Sequence, residues 1–214
     1  MSSPPKLSLF IPFWDEKESL PAAIDEALRV FGGLEGGFEL LLIDDGSSDG
    51  SSEIAQRYTE QSPLVRVLRH PRNLGYGAAL ASGFGAARGD FIGYTDVDLP
   101  APLEEFLSAL EIVEKDADIV IGYPTGGRRP LHRQLYTWVY NRLAQAVLSL
   151  SVRDANFSFK LLRRSLVEQV ELSAETGFIH AQLLAAARRL DARLVERPVP
   201  AQQRKVGTSH FDSP

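Results

Sequence analysis

The sequence predicts an α/β fold, with a mostly parallel central sheet flanked by helices. Three observations predict it. In the first 122 residues, short apolar runs alternate with stretches of helical periodicity, the alternation that builds a parallel sheet covered on both faces. The run Phe38–Ile43 (FELLLI) has the apolar character of a strand with no solvent-facing side. Finally, polar loops (Pro12–Glu16, Asp44–Asp49 and Asp96–Asp98) follow three of the runs directly. In such sheets those are the carboxyl ends of strands, where ligands bind.

The elements follow in order. Residues 7–12 (LSLFIP) form the first strand, closed by Pro12, which cannot continue a central ladder. After the loop Phe13-Trp14-Asp15-Glu16, Ser19 caps a helix whose apolar positions Leu20, Ile24, Ala27 and Leu28 repeat at helical spacing, and Gly32-Gly33 and Gly36-Gly37 stop it. Phe38–Ile43 runs into Asp44-Asp45-Gly46-Ser47-Ser48-Asp49-Gly50, turn and capping residues that open a helix over 51–61. Leu64–Leu68 is the third strand. The loop Arg69-His70-Pro71-Arg72-Asn73 then leads through Gly75-Tyr76-Gly77 into a small-residue helix ending near Arg88-Gly89. Phe91–Thr95 is the fourth strand. Pro100 and Pro102 start a helix that buries Leu103, Phe106, Leu107 and Leu110, and Ile119–Ile121 is the fifth strand. Beyond residue 122 come a basic loop at Gly126–Pro130 and a long helix over 131–150 carrying Trp138 and Tyr140. A strand at Phe157–Leu162, helices over 164–171 and 178–190, a late strand at Leu194–Val199 and a polar tail complete the chain.

Bulk composition narrows the function. Hydrophobic residues make up 44% and charged residues 24% of the 214, an ordinary globular balance. Without cysteine there are no disulfides, thiolate metal sites or thiol nucleophiles. No leader peptide is visible and no run approaches ~20 apolar residues, so a cytoplasmic protein with no membrane span is expected. The net charge of −5 hides an asymmetry: residues 1–122 carry 9 Lys/Arg against 21 Asp/Glu, and residues 123–214 carry 14 against 7. An acidic first half argues against nucleic acid as partner, while the basic second half suits a phosphorylated small molecule or an anionic membrane surface.

The chemistry centres on Asp96-Val97-Asp98. Residues two apart in an extended chain point to one side, so the two carboxylates converge just past a strand. They read either as a site for a hard cation such as Mg²⁺, bridging to substrate phosphates, or as a polar strand end. Gly75-x-Gly77 with Asp96 downstream imitates a dinucleotide fingerprint, but Leu80 stands at the third glycine position and a loop containing Pro71 replaces the required tight turn. These glycines instead suggest close backbone approach to a neighbouring loop or ligand. Four scattered histidines (His70, His132, His180, His210) and the absence of Gly-x-Ser-x-Gly give no support to a Ser/His/Asp hydrolase, and no His-x₃-His pair offers a zinc site. His70 and His180 read as loop or satisfied core residues.

The motifs together resemble glycosyltransferase family 2. Ile11-Pro12-Phe13-Trp14-Asp15-Glu16 is similar to its "IP-x-[YF]-N-E" opening, and Ile43-Asp44-Asp45-Gly46-Ser47-Ser48-Asp49-Gly50 to its "VDDGS-x-DGT" segment. Asn73–Ala79 through Ala87-Arg88-Gly89-Asp90-Phe91 resembles "N-x-G-x-[GA]-x-A … ARGDY". Asp96-Val97-Asp98-Leu99 stands where the family has its "D-A-D-L" metal motif. In the second half, Arg133, Thr137 and Asn141 resemble the "R-x₃-S-x₃-N" helix of the polyprenyl-phosphate (dolichol-phosphate) mannose and glucose synthases. Asp154 through Lys160 resembles their "D-x-x-[ST]-G-F-[RK]", and Arg204-x-x-Gly207-x-Ser209 their "R-x-x-G-x-S".

The resemblance implies a GT-A fold in one domain, residues 1–214, with a nucleotide-sugar half (1–122) and an acceptor half (123–214). It implies that Pro12, Trp14, Glu16, Asp45, Gly75, Asp96 and Val97 hold the nucleotide-diphosphate sugar, and that Asp96 and Asp98 hold Mg²⁺ or Mn²⁺. Arg128, Arg133, Thr137, Lys160 and Arg204 would bind the acceptor phosphate, with Asp98, Arg133, Asp154 and Arg204 as the catalytic set. The implied reaction is inverting transfer of a hexose, of the GDP-mannose or UDP-glucose type, to a polyprenyl phosphate, with peripheral contact at the cytoplasmic membrane face. A lipid phosphate, with its second pKa near ~6, is an anionic nucleophile that needs no strong base. Two alternatives stay open: transfer to a glycan or small hydroxyl acceptor, with Asp154 as the nearest base, and a non-catalytic nucleotide- or lipid-binding protein on the same fold. Departures from the pattern are Pro100 in place of a polar residue two past Asp98, Gly122-Tyr123-Pro124 for "G-S-R", and Phe157-Ser158-Phe159 for "S-G-F".

Overall fold

The computed structural model describes residues 3–126, 152–170, 172 and 179–202. Its centre is a seven-stranded sheet. Strands β1 (Leu7–Phe13), β2 (Phe38–Asp44), β3 (Val65–Arg69), β4 (Phe91–Tyr94), β5 (Ile119–Thr125), β6 (Lys160–Arg163) and β7 (Leu194–Pro200) lie in the order β3-β2-β1-β4-β6-β5-β7. β1 and β2 are buried along their whole length, as their apolar runs require when helices cover both faces. β1 pairs parallel with β2 and β4, β2 with β3, and β5 with β7.

The second half of the chain does not form a layer of its own. β6 enters the sheet antiparallel between β4 and β5, pairing Tyr94 with Lys160 and Ile121 with Lys160. The strand expected over 157–162 therefore starts later, because Phe157-Ser158-Phe159 is spent on reaching the strand ends. β5 runs on through Pro124. This is tolerated because β6 has left the ladder by then and only β7 pairs there.

Helices α1 (Leu20–Phe31), α2 (Ser51–Gln61), α3 (Tyr76–Ala86), α4 (Glu104–Lys115), α5 (Arg164–Val167) and α6 (Ile179–Arg189) cover the faces. One core layer joins α1 and α4 to the sheet through Ile24, Phe31, Phe106 and Leu110; the other joins α3 and α6 through Leu80, Phe84, Leu183 and Leu184. Two local expectations are corrected, the Ser19 cap and the length of the helix over 164–171, while the glycine stop of α1 stands where it was expected. Ser19 stands at the α1 N-cap, but its hydroxyl makes no capping bond; the chain enters through a turn in which Leu20 N donates to Glu16 O at 2.9 Å. Gly32 ends α1 in a right-handed conformation, and the positive φ angles belong to Gly36 (88°) and Gly37 (90°). The helix expected over 164–171 closes after one turn. The long helix expected over 131–150 lies outside the described residues.

Candidate active site

Three loops at the carboxyl ends of β1, β2 and β3 are laced into one rim. The Asp15 backbone N–H donates to Ser47 Oγ at 3.0 Å, and Asp15 Oδ1 accepts from the Ser48 and Asp49 N–H groups at 2.7 and 3.2 Å. Glu16 N–H donates to Ser51 Oγ at 2.9 Å and Lys17 N–H to Asp49 Oδ2 at 3.0 Å. Asp15 reaches these partners from a left-handed conformation (φ 53°), which short polar side chains tolerate better than others. Short hydroxyl and carboxylate side chains suit this work, since they bond backbone groups of a neighbouring turn without filling the space a ligand needs.

Asp45 ties the second loop to the third. Its Oδ1 accepts from Leu74 N–H at 2.8 Å and from the His70 ring at 2.7 Å, and its Oδ2 accepts from Gly75 N–H at 2.8 Å. His70 N–H donates to Asp44 O at 2.8 Å. Gly46 (φ +75°) makes the approach sterically feasible: a Cβ there would meet the Arg72 carbonyl carbon at 2.3 Å. A Cβ on Gly75 would meet no protein atom within 4 Å; its φ of +94° sets the N-cap of α3, and its backbone N–H is what meets the neighbouring loop, at Asp45 Oδ2.

Asp96-Val97-Asp98 follows β4 in a turn closed by Leu99 N–H to Asp96 O at 3.1 Å, with Leu99 itself left-handed (φ 48°). A bulky residue held in that conformation stores strain, a feature that clusters at functional sites. Tyr76, in the first turn of α3, donates its phenol to Asp96 Oδ1 at 2.8 Å. Burial raises the Asp96 carboxyl above its ordinary pKa, against the lowering effect of hydrogen bonds from Ser158 and Tyr76 and of the Lys160 charge. The Tyr76 phenol is raised well above its ordinary value by burial and by Asp96.

Lys160 is fully buried at the start of β6. Its Nζ donates to Phe157 O at 2.7 Å and lies 5.4 Å from the Tyr94 ring centre. Burial lowers its pKa to about 7, and Asp154 and Asp96 oppose the shift. Lys160, expected at the acceptor phosphate, is thus a buried ammonium within the sheet, close enough to Asp154 and Asp96 for their charges to act on it. Asp154 is buried in the loop before β6, its Oδ1 accepting from Asn156 N–H at 3.2 Å.

Of the residues singled out in the sequence, the strand ends bring together Pro12, Trp14, Glu16, Asp45, Gly75, Asp96, Val97 and Asp98. Pro12 and Val97 are buried, Glu16 is half-buried, and Trp14 is 39% exposed. Arg128, Arg133, Thr137 and Arg204 lie outside the described residues. Sequence reasoning missed Tyr76, Ser158 and the role of His70. Tyr76 lies inside a quoted motif, yet no local pattern shows that it reaches a carboxylate twenty residues away.

A divalent cation fits the donor set. Asp96 and Asp98 would supply it hard oxygen ligands, and among the described residues no group of three or more His, Cys, Asp or Glu is gathered to hold a metal. That suits an ion held by one or two carboxylates and completed by water and phosphate.

A doubly covered, mostly parallel sheet with an Asp-x-Asp turn and acidic loops at its strand ends defines a protein of the GT-A class. The sequence model of Glycosyl transferase family 2 matches residues 8–171, and the chain belongs to that family. It is 31% identical over 209 residues to the undecaprenyl-phosphate 4-deoxy-4-formamido-L-arabinose transferase of Yersinia pestis (strain Pestoides F), a match covering 96% of this chain and 62% of the relative. The chain thus spans about three fifths of the length of the curated relatives it matches. Among solved structures, glucosyl-3-phosphoglycerate synthase from Mycobacterium tuberculosis in complex with Mn²⁺, UDP and glucosyl-3-phosphoglycerate superposes with a TM-score of 0.69 at 19% identity over 95% of this chain and 73% of that one. The mannosyltransferase PcManGT from Pyrobaculum calidifontis in complex with GDP-Man and Mn²⁺ gives 0.68 at 17% identity over 95% and 58%. These two likenesses establish the GT-A fold. No helix among the described residues is long and apolar enough to cross a membrane.

Proposed function

We propose that the chain is a metal-dependent, inverting glycosyltransferase that moves a sugar from a nucleotide-diphosphate donor to a polyprenyl phosphate, working at a membrane face as one domain of residues 1–214. The observation that carries the reading is the convergence of the Asp45 loop, the Trp14–Glu16 loop and the Asp96–Asp98 turn at one edge of the sheet. Membership of the family and the name of the Yersinia relative support it. That name specifies a pentose, so the hexose expected from the sequence is one donor class among those to be tested.

In this reading Trp14 offers an aromatic face and Asp45 an acceptor oxygen to the nucleoside, while Asp96 and Asp98 hold Mg²⁺ or Mn²⁺. When bound, the cation neutralises charge that develops on the departing diphosphate. The acceptor phosphate is already anionic at neutral pH, so the protein's task is to bring two anions together in line. The cations proposed for that task are Arg128, Arg133 and Arg204, with Thr137 beside them. Lys160 supports it from within the sheet. Asp154 is proposed to complete the catalytic set from the loop before β6.

The test incubates the chain with polyprenyl phosphate, Mn²⁺ and a panel of labelled UDP- and GDP-linked hexoses and pentoses, and follows label into the organic phase. Lipid-linked product that requires Mn²⁺ is expected, with Asp98→Ala reducing it by at least about 100-fold, as for loss of a principal electrostatic stabiliser. In a parallel incubation with soluble glycans in place of the lipid, label transferred there and not to the lipid would replace the lipid acceptor by a hydroxyl one. No metal-dependent turnover with any donor would overturn the enzymatic reading.

A further inference from the structure

We propose that His70 is a positioning residue for the donor nucleotide: braced by Ser82, it fixes the carboxylate of Asp45 against the nucleoside. The inference rests on the reading of Asp45 given above, and it concerns a residue that no motif of the sequence assigned.

His70 is buried, 6% exposed, at the exit of β3. Pro71 follows it, which keeps residue 70 out of the helical region, and its N–H to Asp44 O at 2.8 Å fixes the backbone against β2. The ring spans two elements. Nδ1 lies 2.7 Å from Asp45 Oδ1 and Nε2 2.8 Å from Ser82 Oγ. A carboxylate only accepts, so Nδ1 carries a proton and donates to Asp45, while Nε2 hydrogen-bonds the Ser82 hydroxyl.

Ser82 sits within α3, whose N-cap Gly75 donates its N–H to Asp45 Oδ2 at 2.8 Å. The contacts close a ring from α3 through Ser82, His70 and Asp45 back to the start of α3. Among the described residues three donors meet Asp45, against about four acceptor positions on a carboxylate. The backbone donors Leu74 and Gly75 come with the loop, whereas the His70 ring is the side-chain donor that sets the carboxylate's rotation.

An Asp-His-Ser chain of this kind invites comparison with a hydrolytic triad. Ser82 lies inside a helix rather than on the exposed, strained strand-to-helix turn a serine nucleophile occupies. The chain is therefore a brace, and its output is the orientation of Asp45.

The test measures binding of UDP and of GDP, each with Mn²⁺, by calorimetry on the full chain, together with KM and kcat for the active donor. Asp45→Ala should abolish binding; if it binds as the unaltered chain does, the reading of Asp45 fails. His70→Leu should weaken binding about tenfold or more, the value of a hydrogen bond to a charged group, and raise KM with kcat little changed. His70→Asn, whose amide N–H can take the place of Nδ1–H, should recover most of the loss. Ser82→Ala should lose affinity by a smaller factor. Weak binding by Asp45→Ala with unaltered binding by His70→Leu overturns the inference and spares the reading. A fall in kcat at constant KM, or no recovery in His70→Asn, also overturns it. Should His70→Leu fail to fold, Ser82→Ala carries the test: unchanged affinity there overturns the brace. Absence of binding by the unaltered chain sinks both.

Discussion

The Tyr76 phenol donates to Asp96 Oδ1 at 2.8 Å, and so fastens the first turn of α3 to the turn after β4. The same helix begins at Gly75, which is held by Asp45. One short helix end therefore sets the distance between the acidic loop of β2 and the Asp pair of β4.

Tyr76→Phe should leave the fold intact and weaken metal-dependent activity. The bond opposes the burial that raises the Asp96 carboxyl, so its loss favours the protonated form and frees the side chain. A Mn²⁺ titration of transfer should show the half-saturating concentration rising by about tenfold or more, the range for altering a residue that orients a metal ligand. An unchanged Mn²⁺ dependence would show that Asp96 is oriented without Tyr76.

Gly46→Ala should destabilise more than Gly50→Ala. Both positions have positive φ, 75° and 101°, which costs a side chain roughly 1–2 kcal/mol. At Gly46 the new Cβ also meets the Arg72 backbone at 2.3 Å, whereas at Gly50 the nearest atom is Glu53 Oε2 at 4.0 Å. Thermal unfolding should place the melting temperature of Gly46→Ala clearly below that of Gly50→Ala, and nucleotide affinity should fall with it because the Arg72–Gly75 loop is displaced.

Glu39→Ala tests the amino ends of the strands, opposite the acidic loops. Glu39 Oε1 accepts from Ser8 Oγ at 2.5 Å and from Arg88 N–H at 2.7 Å, and Oε2 from Arg66 at 2.6 Å, while Ser8 Oγ accepts from Gly89 N–H at 2.7 Å. Removing the buried carboxylate takes the acceptor from the Ser8 hydroxyl, the Arg88 N–H and the half-buried Arg66 guanidinium, at a cost of about 2–3 kcal/mol. For a chain of this size that lowers the melting temperature by roughly 5–10 °C. The network holds the backbone of Arg88 and Gly89 at the amino ends of the strands, away from the acidic loops, so donor KM should change little.

His180 makes stability fall in acid. The ring is buried against Tyr94, whose hydroxyl lies 2.5 Å from Nδ1, and it also faces the Tyr76 ring. Burial first, and then the Lys160 charge, holds its pKa well below the ordinary 6.5. Below pH 6.5 the unfolded chain binds a proton that the folded chain refuses, so folding stability is complete above that pH and declines as pH drops toward the folded pKa. The decline approaches about 1.4 kcal/mol per pH unit. Denaturant unfolding at pH 7 and pH 5.5 should show a smaller loss in His180→Gln than in the unaltered chain; equal losses would remove His180 from the account.

Much of the architecture was readable along the chain. β1 to β5 emerged within a residue or two at most boundaries, because each central strand is a local apolar run and each break is a Gly, Pro or Asp cluster. β6 was read as a strand but not as an antiparallel insertion between β4 and β5, since pairing partners are non-local. The same limit hid the burial of Lys160, which the resemblance named for the acceptor phosphate and the sheet packs beside Tyr94. Ser19 and Gly75 show the local version. Residue type marked both as boundary positions, but the bonds and dihedrals used there depend on what packs nearby.

The sequence by itself determined the alternation of strands and helices, the placing of three acidic loops at carboxyl ends, and the two carboxylates of Asp96 and Asp98. All of these follow from periodicity and residue chemistry within a few positions of one another. Tertiary structure alone decided that Asp45 is gripped by His70, Leu74 and Gly75, that Tyr76 reaches Asp96, and that Lys160 lies buried beside Tyr94. Each of those contacts joins residues whose proximity comes from sheet order and helix docking, and the free energy that fixes it is shared with a core distributed over the whole chain.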